Sequence, residues 1–432
     1  MRVVAFVPAK GTSERIENKN TKLLDGKPLL LHTLEKLVNC DFIDEVYLDT
    51  DSDSIIELAS EVDCNVLKRD PSLATNKTDG HQLFYNQVRQ VEADIYIQVL
   101  VTSPFIHPDT IKSGVEALQR SEVYDSAILV RKEKQYTWEN NQPTYDLNRI
   151  PNSIDLSDTT IETMGLYIVK RESAHQLQRR IGESPLLLEA SALEAIDVNW
   201  PEDFVLANYI AAGIREESRK LLGTVKLHLS SSLLSDLLDD LGFPNQVVRG
   251  LKPNMPDTKI LGPAKTLKLR ALRDNEPFEG IYDALHSYET VIPNDVIVIE
   301  NEVPEFAYFG ELNANLALRQ GAAGVIVGGN TRDSREVLRT GLAVFSTGVT
   351  CQDVRKRATV ESINKSIQLR GVSVRPNDLV FADSEGVVII SSLIEKRLFD
   401  LLFTRLSDEK NILVDISQGS DVAVLTRRYG FF

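Results

Sequence analysis

Five cations, Lys10, Arg15, Lys19, Lys22 and Lys27, fall in one short stretch among Gly11, Ser13 and Asn20, directly after the apolar run Val3–Val7. Glycine and hydroxyl residues behind a strand let backbone N–H groups turn toward an anion. A triphosphate carries about four negative charges, and its pyrophosphate gains more as it leaves, so several cations suit it. The stretch is neither a Walker A loop nor a G-x-G-x-x-G dinucleotide fingerprint. A carboxylate cluster, Asp49, Asp51 and Asp53, ends another apolar run. Asp197 and Asn199 alternate in an extended segment, so both point the same way and can share one oxygen-ligated cation. Glu202 and Asp203 begin the next helix, where their charge favours its N-terminus. Further on, Arg332 stands beside Asp333 with Glu336 one helical turn later. An arginine fork can grip a substrate carboxylate while the aspartate holds a divalent ion. Each group also has a plain reading: solvated lysines, or a surface Arg–Asp pair.

The elements that must position these groups divide the chain in two. In the first half, strand-like runs (VVAFVP, EVYLDTD, DIYIQVLVTSP, SAILVRK, ETMGLYIVK) alternate with helix-like ones (LLLHTLEKLV, SIIELASEV, HPDTIKSGVEALQ). Alternation of this kind implies an α/β fold with a doubly wound, mostly parallel sheet, which binds ligands beyond the carboxyl ends of its strands. The cationic loop follows the first strand and belongs there. Ala207–Leu222 reads as a closing helix running into a linker, AAGIREESRK. A serine-capped helix then opens a second unit of short β-rich runs. The expected domains are residues 1–220 and 221–432.

Length and charge bound the function. A chain of 432 residues suits two or three domains, and a net charge of −15 speaks against a nucleic-acid partner. Cys40, Cys64 and Cys351 are far apart and odd in number, as for small core residues in a reducing compartment. Six histidines and no H-E-x-x-H argue against a zinc hydrolase. No leader and no membrane-length apolar run is read, so a cytoplasmic protein with no membrane partner is expected.

PAKGTSERIENKN, KLLDGKPLL, DTDSDSI, VTSPF, ETMGLYIVK and IDVNWPEDFVLA occur in the order seen in the cytidylyltransferases that make CMP-activated 3-deoxy-2-ulosonic sugars, acylneuraminate cytidylyltransferase among them. The first half resembles that family. The resemblance implies a nucleotide site formed by Pro8, Ala9, Lys10, Gly11, Ser13, Arg15, Lys19, Asn20 and Lys27, with Lys10, Arg15 and Lys19 catalytic. It implies Mg²⁺ held by Asp197 and Asn199. The reaction would move CMP from CTP to a 2-keto-3-deoxy sugar acid and release pyrophosphate. Lys10 stands for the family's arginine, Leu100 and Val101 for a Gln-Pro pair, and Asn199 for a second aspartate.

LLSDLLDDLG, LGPAKTLKL, NDVIVIE, GELNANLALRQGAAGVIVGGNTRD and VSVRPNDLVFADSEGVVIIS make the second half resemble the family of the ribonuclease E activity regulator RraA and the 4-hydroxy-4-methyl-2-oxoglutarate aldolases. That resemblance implies a swivelling β/α domain. Arg332, with Gly310 and Glu311, would bind a 2-keto acid, Asp333 and Glu336 would serve Mg²⁺, and the chain would assemble as a dimer, trimer or hexamer. Gly328-Gly329 replaces the aldolases' Asp-Gly. Two readings of this half stay open: a metal-dependent lyase, or a non-catalytic oligomerisation or regulatory module.

Overall fold

The computed structural model describes residues 1–75, 77–417 and 420–429. They form two compact units, Met1–Ala212 and Gly213–Phe432. The division falls inside one continuous helix, Pro201–Lys226. The stretch read as a linker is therefore helical, as is the expected 220/221 boundary. Its residues explain this: no proline interrupts 202–226, and Arg219 pairs with Glu216 three positions earlier at 2.6 Å.

In the first unit, seven strands among the described residues make one sheet. Their order is Pro185–Glu189, Ser126–Glu133, Thr159–Lys170, Ile95–Val99, Val3–Pro8, Glu45–Thr50, Asn65–Lys68. Val3–Pro8 is parallel to both of its neighbours, and Asn65–Lys68 continues the parallel run. Thr159–Lys170 is antiparallel to both of its own neighbours, so the sheet is mixed but mostly parallel. Alternate residues of the first strand face opposite layers. Val3, Ala5 and Val7 join a core with Leu30 and Leu34 of helix Leu29–Val38 and Ile111 and Val115 of helix Pro108–Arg120. Val4 and Phe6 join a second core with Phe84 and Val88 of helix Gly80–Val88. Burial on both faces is why this strand is an unbroken apolar run, and it makes the sheet doubly wound, as its sequence implies. Pro8, Thr50, Lys68 and Val99 end parallel strands on one edge, so the loops after them converge.

In the second unit, Ile260–Ala271, Val296–Asn301, Gly324–Val327 and Val344–Ser346 form a parallel core. The other edge of Ile260–Ala271 is shared by two antiparallel strands. Leu379–Ala382 pairs with residues 260–263 and Ala358–Ile363 with residues 267–271, so the sheet curls along this strand. Helix Ser231–Asp240 begins at Ser230, whose side chain accepts from the Leu233 N–H, and Gly242 follows it at φ +81°. Ala314 and Ala317 let helix Glu311–Arg319 lie close on Val325 and Val327.

Cys40 is buried and Cys64 half-buried, and burial pushes both thiols up, Cys64 to about 11. Cys351 is exposed, which corrects the core reading for that residue. It lies in a turn after the short strand Gly348–Val349 and belongs to no packed face. Among the described residues no helix is long and apolar enough to cross a membrane.

Candidate active site

The cationic loop is held in shape before any ligand arrives. The Ala9 N–H donates to the Asp49 carbonyl at 2.9 Å, extending the strand register one residue past Pro8. The Gly11 N–H donates to Asp51 Oδ1 at 3.0 Å. A Cβ on Gly11 would lie 2.7 Å from the Ser52 Cβ, so close approach demands glycine. Asn20 Nδ2 donates to the Lys10 carbonyl at 2.8 Å and closes the loop on itself. The loop borders a cleft of about 440 Å³. Pro8, Lys10, Ser13, Arg15, Lys19 and Asn20 line it, as do Glu14, Leu100, Val101 and Thr102. Ala9 and Gly11 stand behind the lining. Lys27 is outside it, on the hairpin Leu23–Leu24/Lys27–Pro28, paired with Glu35 at 2.5 Å.

Lys19 is the most constrained cation. It is 9% exposed, and its ammonium donates to the Val198 carbonyl at 3.2 Å. Burial lowers its pKa to about 8, with Arg15 and Lys10 acting in the same direction and Asp197 and Asp203 opposing. This brings the loop to the Asp197 segment. Asn199 Nδ2 donates to Asp197 Oδ2, while Asp197 Oδ1 is buried with no hydrogen-bond partner among the described residues. An orphaned carboxylate oxygen in the field of Lys19 fits a divalent cation. Among the described residues no three His, Cys, Asp or Glu side chains gather to hold a metal. Mg²⁺ commonly takes one or two protein carboxylates and completes its shell with phosphate oxygens and water, which suits this arrangement.

The neighbouring acids have other duties. Asp203 Oδ2 accepts from the Asn199 and Trp200 N–H groups at 2.9 and 2.8 Å and so caps helix Pro201–Lys226. Arg15 lies over the Trp200 ring, 5.5 Å from its centroid. The Asp49–Asp53 carboxylates are engaged by other groups: Asp49 pairs with Arg69 at 2.9 Å, Asp51 holds Gly11, and Asp53 pairs with Lys68.

Two charged cleft residues escaped the sequence reading, Arg69 and Arg180. Arg69 follows directly on strand Asn65–Lys68 at the ligand edge, a position that could have drawn attention to it. Arg180 comes from the loop after helix Arg171–Leu177 and carried no such signal.

In the second unit, Gly310, Glu311 and Arg332 line a pocket of about 690 Å³ with Tyr282, Leu285, Tyr308, Leu312 and Leu316. Arg332 Nη1 is 2.6 Å from Asp353 Oδ2, and its Nε is 3.6 Å from Asp333 Oδ2. Asp353 lines the same pocket and was not foreseen. Asp333 has φ +51°, and its Oδ2 accepts from the Glu311 N–H at 3.3 Å. A Cβ on Gly310 would fall 2.6 Å from that oxygen, so this glycine makes room for the aspartate. Glu336 sits in the first turn of helix Ser334–Arg339, outside the pocket lining. A Cβ on Gly328 would lie 3.0 Å from the Ile299 carbonyl, so the carboxylate missing there is replaced by tight backbone packing.

Comparison with known proteins agrees with this division. Residues 4–180 match the family described as Cytidylyltransferase, and residues 231–389 the family described as Aldolase/RraA. N-acylneuraminate cytidylyltransferase A of Danio rerio is 24% identical over 85% of this chain and 89% of its own. CMP-N,N'-diacetyllegionaminic acid synthase of Legionella pneumophila is 36% identical over 27% of this chain, and Protein DlpA of the same organism 28% identical over 45%. The chain spans 53% and 31%, respectively, of the lengths of these last two. The chain thus carries an N-terminal cytidylyltransferase domain and a C-terminal RraA-like aldolase domain.

Proposed function

We propose that the first unit transfers CMP from CTP to a 2-keto-3-deoxy sugar acid of the ulosonic or sialic type, releasing pyrophosphate. The observation that carries this reading is the cleft itself. Lys10, Arg15 and Lys19 line it on a loop already closed by Asn20 and Gly11, and Lys19 stands in the field of Asp197. Lys10, Arg15 and Lys19 bind the triphosphate and hold its α-phosphorus for in-line attack by the sugar's anomeric hydroxyl. The new O–P bond forms as the bridging α–β bond breaks, and the same cations receive the charge gathering on pyrophosphate. Asp197 and the Asn199 amide oxygen would hold Mg²⁺, which supplies further neutralisation of the phosphates. Calorimetric titration with CTP and Mg²⁺ tests this reading. Tight CTP binding that weakens by about 1–3 kcal/mol in Lys19→Ala supports it, and an unchanged affinity contradicts it.

For the second unit, Arg332 is the candidate grip for a 2-keto acid carboxylate, with Asp333 as one protein ligand to a largely hydrated Mg²⁺ and Glu336 in support. The apolar wall of the pocket suits the rest of a small keto acid. Pyruvate release from 2-keto acids, lost in Asp333→Ala and with EDTA, tests this. A non-catalytic module is favoured by one observation, the Arg332–Asp353 pair, which already occupies the arginine fork. Self-association of the chain, as the resemblance of the second half implies, is checked by light scattering. A soluble protein of the cytoplasm is the setting this chemistry suits.

A further inference from the structure

Arg69 and Arg180 reach the cleft from outside the cationic loop, and a hydrogen-bonded chain through the interior joins them. Arg180 Nη1 donates to Gln98 Oε1 at 3.4 Å, and Gln98 Nε2 donates to Gln87 Oε1 at 2.8 Å. Gln87 Nε2 donates to Asp49 Oδ2 at 2.5 Å, and Asp49 Oδ1 accepts from Arg69 Nε at 2.9 Å. Asp49, Gln87 and Gln98 are at most 1% exposed. A guanidinium only donates and a carboxylate only accepts, so the two ends fix both amides in one orientation. Two buried glutamines in series are costly unless satisfied, and here each neighbour in the chain satisfies the next.

The chain leaves the two arginines in different electrical states. Arg69 is neutralised by Asp49. Arg180 touches two neutral groups, the Gln98 amide and the Tyr167 ring, whose centroid is 3.9 Å from its Cζ, and the Asp79 carboxylate acts on it through space. Its place is also moulded by Gly80, where a Cβ would fall 2.6 Å from Cζ. Leu83, one turn along the same helix, lines the cleft beside it with Leu100 and Val101. An apolar wall next to a donor fork held by a buried amide suits the flat face and polar edge of a nucleobase.

We propose that Arg180, oriented by the Gln98–Gln87–Asp49 relay, selects cytosine over uracil. This rests on the nucleotide reading of the cleft. Cytosine presents O2 and N3 as adjacent acceptors, which match two parallel guanidinium donors. Uracil carries a proton on N3, so the same fork would set N–H against N–H and leave a donor unpaired. Arg180 is the specificity-determining residue, and Gln98 and Gln87 are positioning residues.

The test is calorimetric titration of the full-length protein with CTP and with UTP, each with Mg²⁺. Wild type is expected to prefer CTP by about 10- to 100-fold, the worth of one matched polar edge. Arg180→Gln and Gln98→Leu should narrow that ratio to within about threefold, well under 1 kcal/mol. Gly80→Ala, which displaces the guanidinium yet keeps every charge and suits a helix, should narrow it likewise. Lys19→Ala should weaken both nucleotides by the same factor and keep the ratio. Wild type that binds neither nucleotide overturns the nucleotide reading, and the proposal with it. Wild type that binds both equally, or Arg180→Gln and Gly80→Ala that keep full CTP preference, overturns the assignment to Arg180 and leaves the nucleotide reading standing.

Discussion

Lys19 is the most constrained cation of the first unit's cleft, and the proposed chemistry leans on it most. Its pKa of about 8 means that the free protein loses this positive charge as pH rises through 8, whereas a bound triphosphate would restore it. CTP binding should therefore take up a proton above about pH 8 and weaken there. Lys19→Arg, which stays charged, should flatten that dependence in calorimetry. The sign for stability is the opposite. Between about 8 and the ordinary 10.5 the unfolded chain holds more protons at this site than the folded one, so the site adds stability as pH rises across that window. Asp197 carries the proposed metal site. Asp197→Asn would place two neutral amides at 197 and 199, and transfer should fall at least about 100-fold at low Mg²⁺ with melting temperature little changed, as for loss of a ligand-holding group. Normal turnover in that variant would move the metal elsewhere. The sequence singles out Lys19 and Asp197 because each is marked by near neighbours: a run of cations, and an i, i+2 alternation. It does not single out Arg69, Arg180, Gln87 and Gln98, since their meaning lies in contacts between residues 11 to 82 positions apart. Asp353, 21 positions from Arg332, was hidden for the same reason.

Among elements, the doubly wound sheet was readable from its alternating runs, because strands buried on both faces are continuously apolar. The antiparallel insertion of Thr159–Lys170 was not, since strand direction is fixed by partners and leaves no mark on composition. The linker reading failed on local grounds: AAGIREESRK is polar but rich in helix formers, and polarity alone does not break a helix. The loop after the first strand depends on Gly11. Gly11→Ala would drive a methyl into Ser52 and shift the loop, at about 1–3 kcal/mol. CTP affinity should drop by about tenfold or more, while secondary structure by circular dichroism stays the same. In the second unit, Asp353 holds the Arg332 fork where a substrate carboxylate would sit. Asp353→Asn should free that fork and tighten pyruvate binding several-fold if the pocket takes 2-keto acids. Weaker or absent binding in the variant would favour a structural pair.

The molecule joins two units with separate cores in one chain, and the join is a helix. Each unit has the length and apolar content for independent folding. A protein ending near residue 226, which keeps helix Pro201–Lys226 whole, should be soluble and keep CTP binding. One ending near residue 212 should be less stable, since it cuts that helix, and thermal melting of the two fragments compares them. On the proposed reading the two halves share a chain because a 2-keto acid lyase and an enzyme activating a 2-keto sugar acid would handle related carbon skeletons. Whether or not the second unit is catalytic, the first unit's transfer reaction can be measured alone. The most direct measurement is pyrophosphate release by the full-length protein, with each nucleoside triphosphate against a panel of 2-keto-3-deoxy sugar acids. Release should require CTP, Mg²⁺ and a sugar acid together, and should vanish in Asp197→Asn. No release with any pairing, or release that is independent of the sugar acid, would contradict nucleotidyl transfer at this cleft.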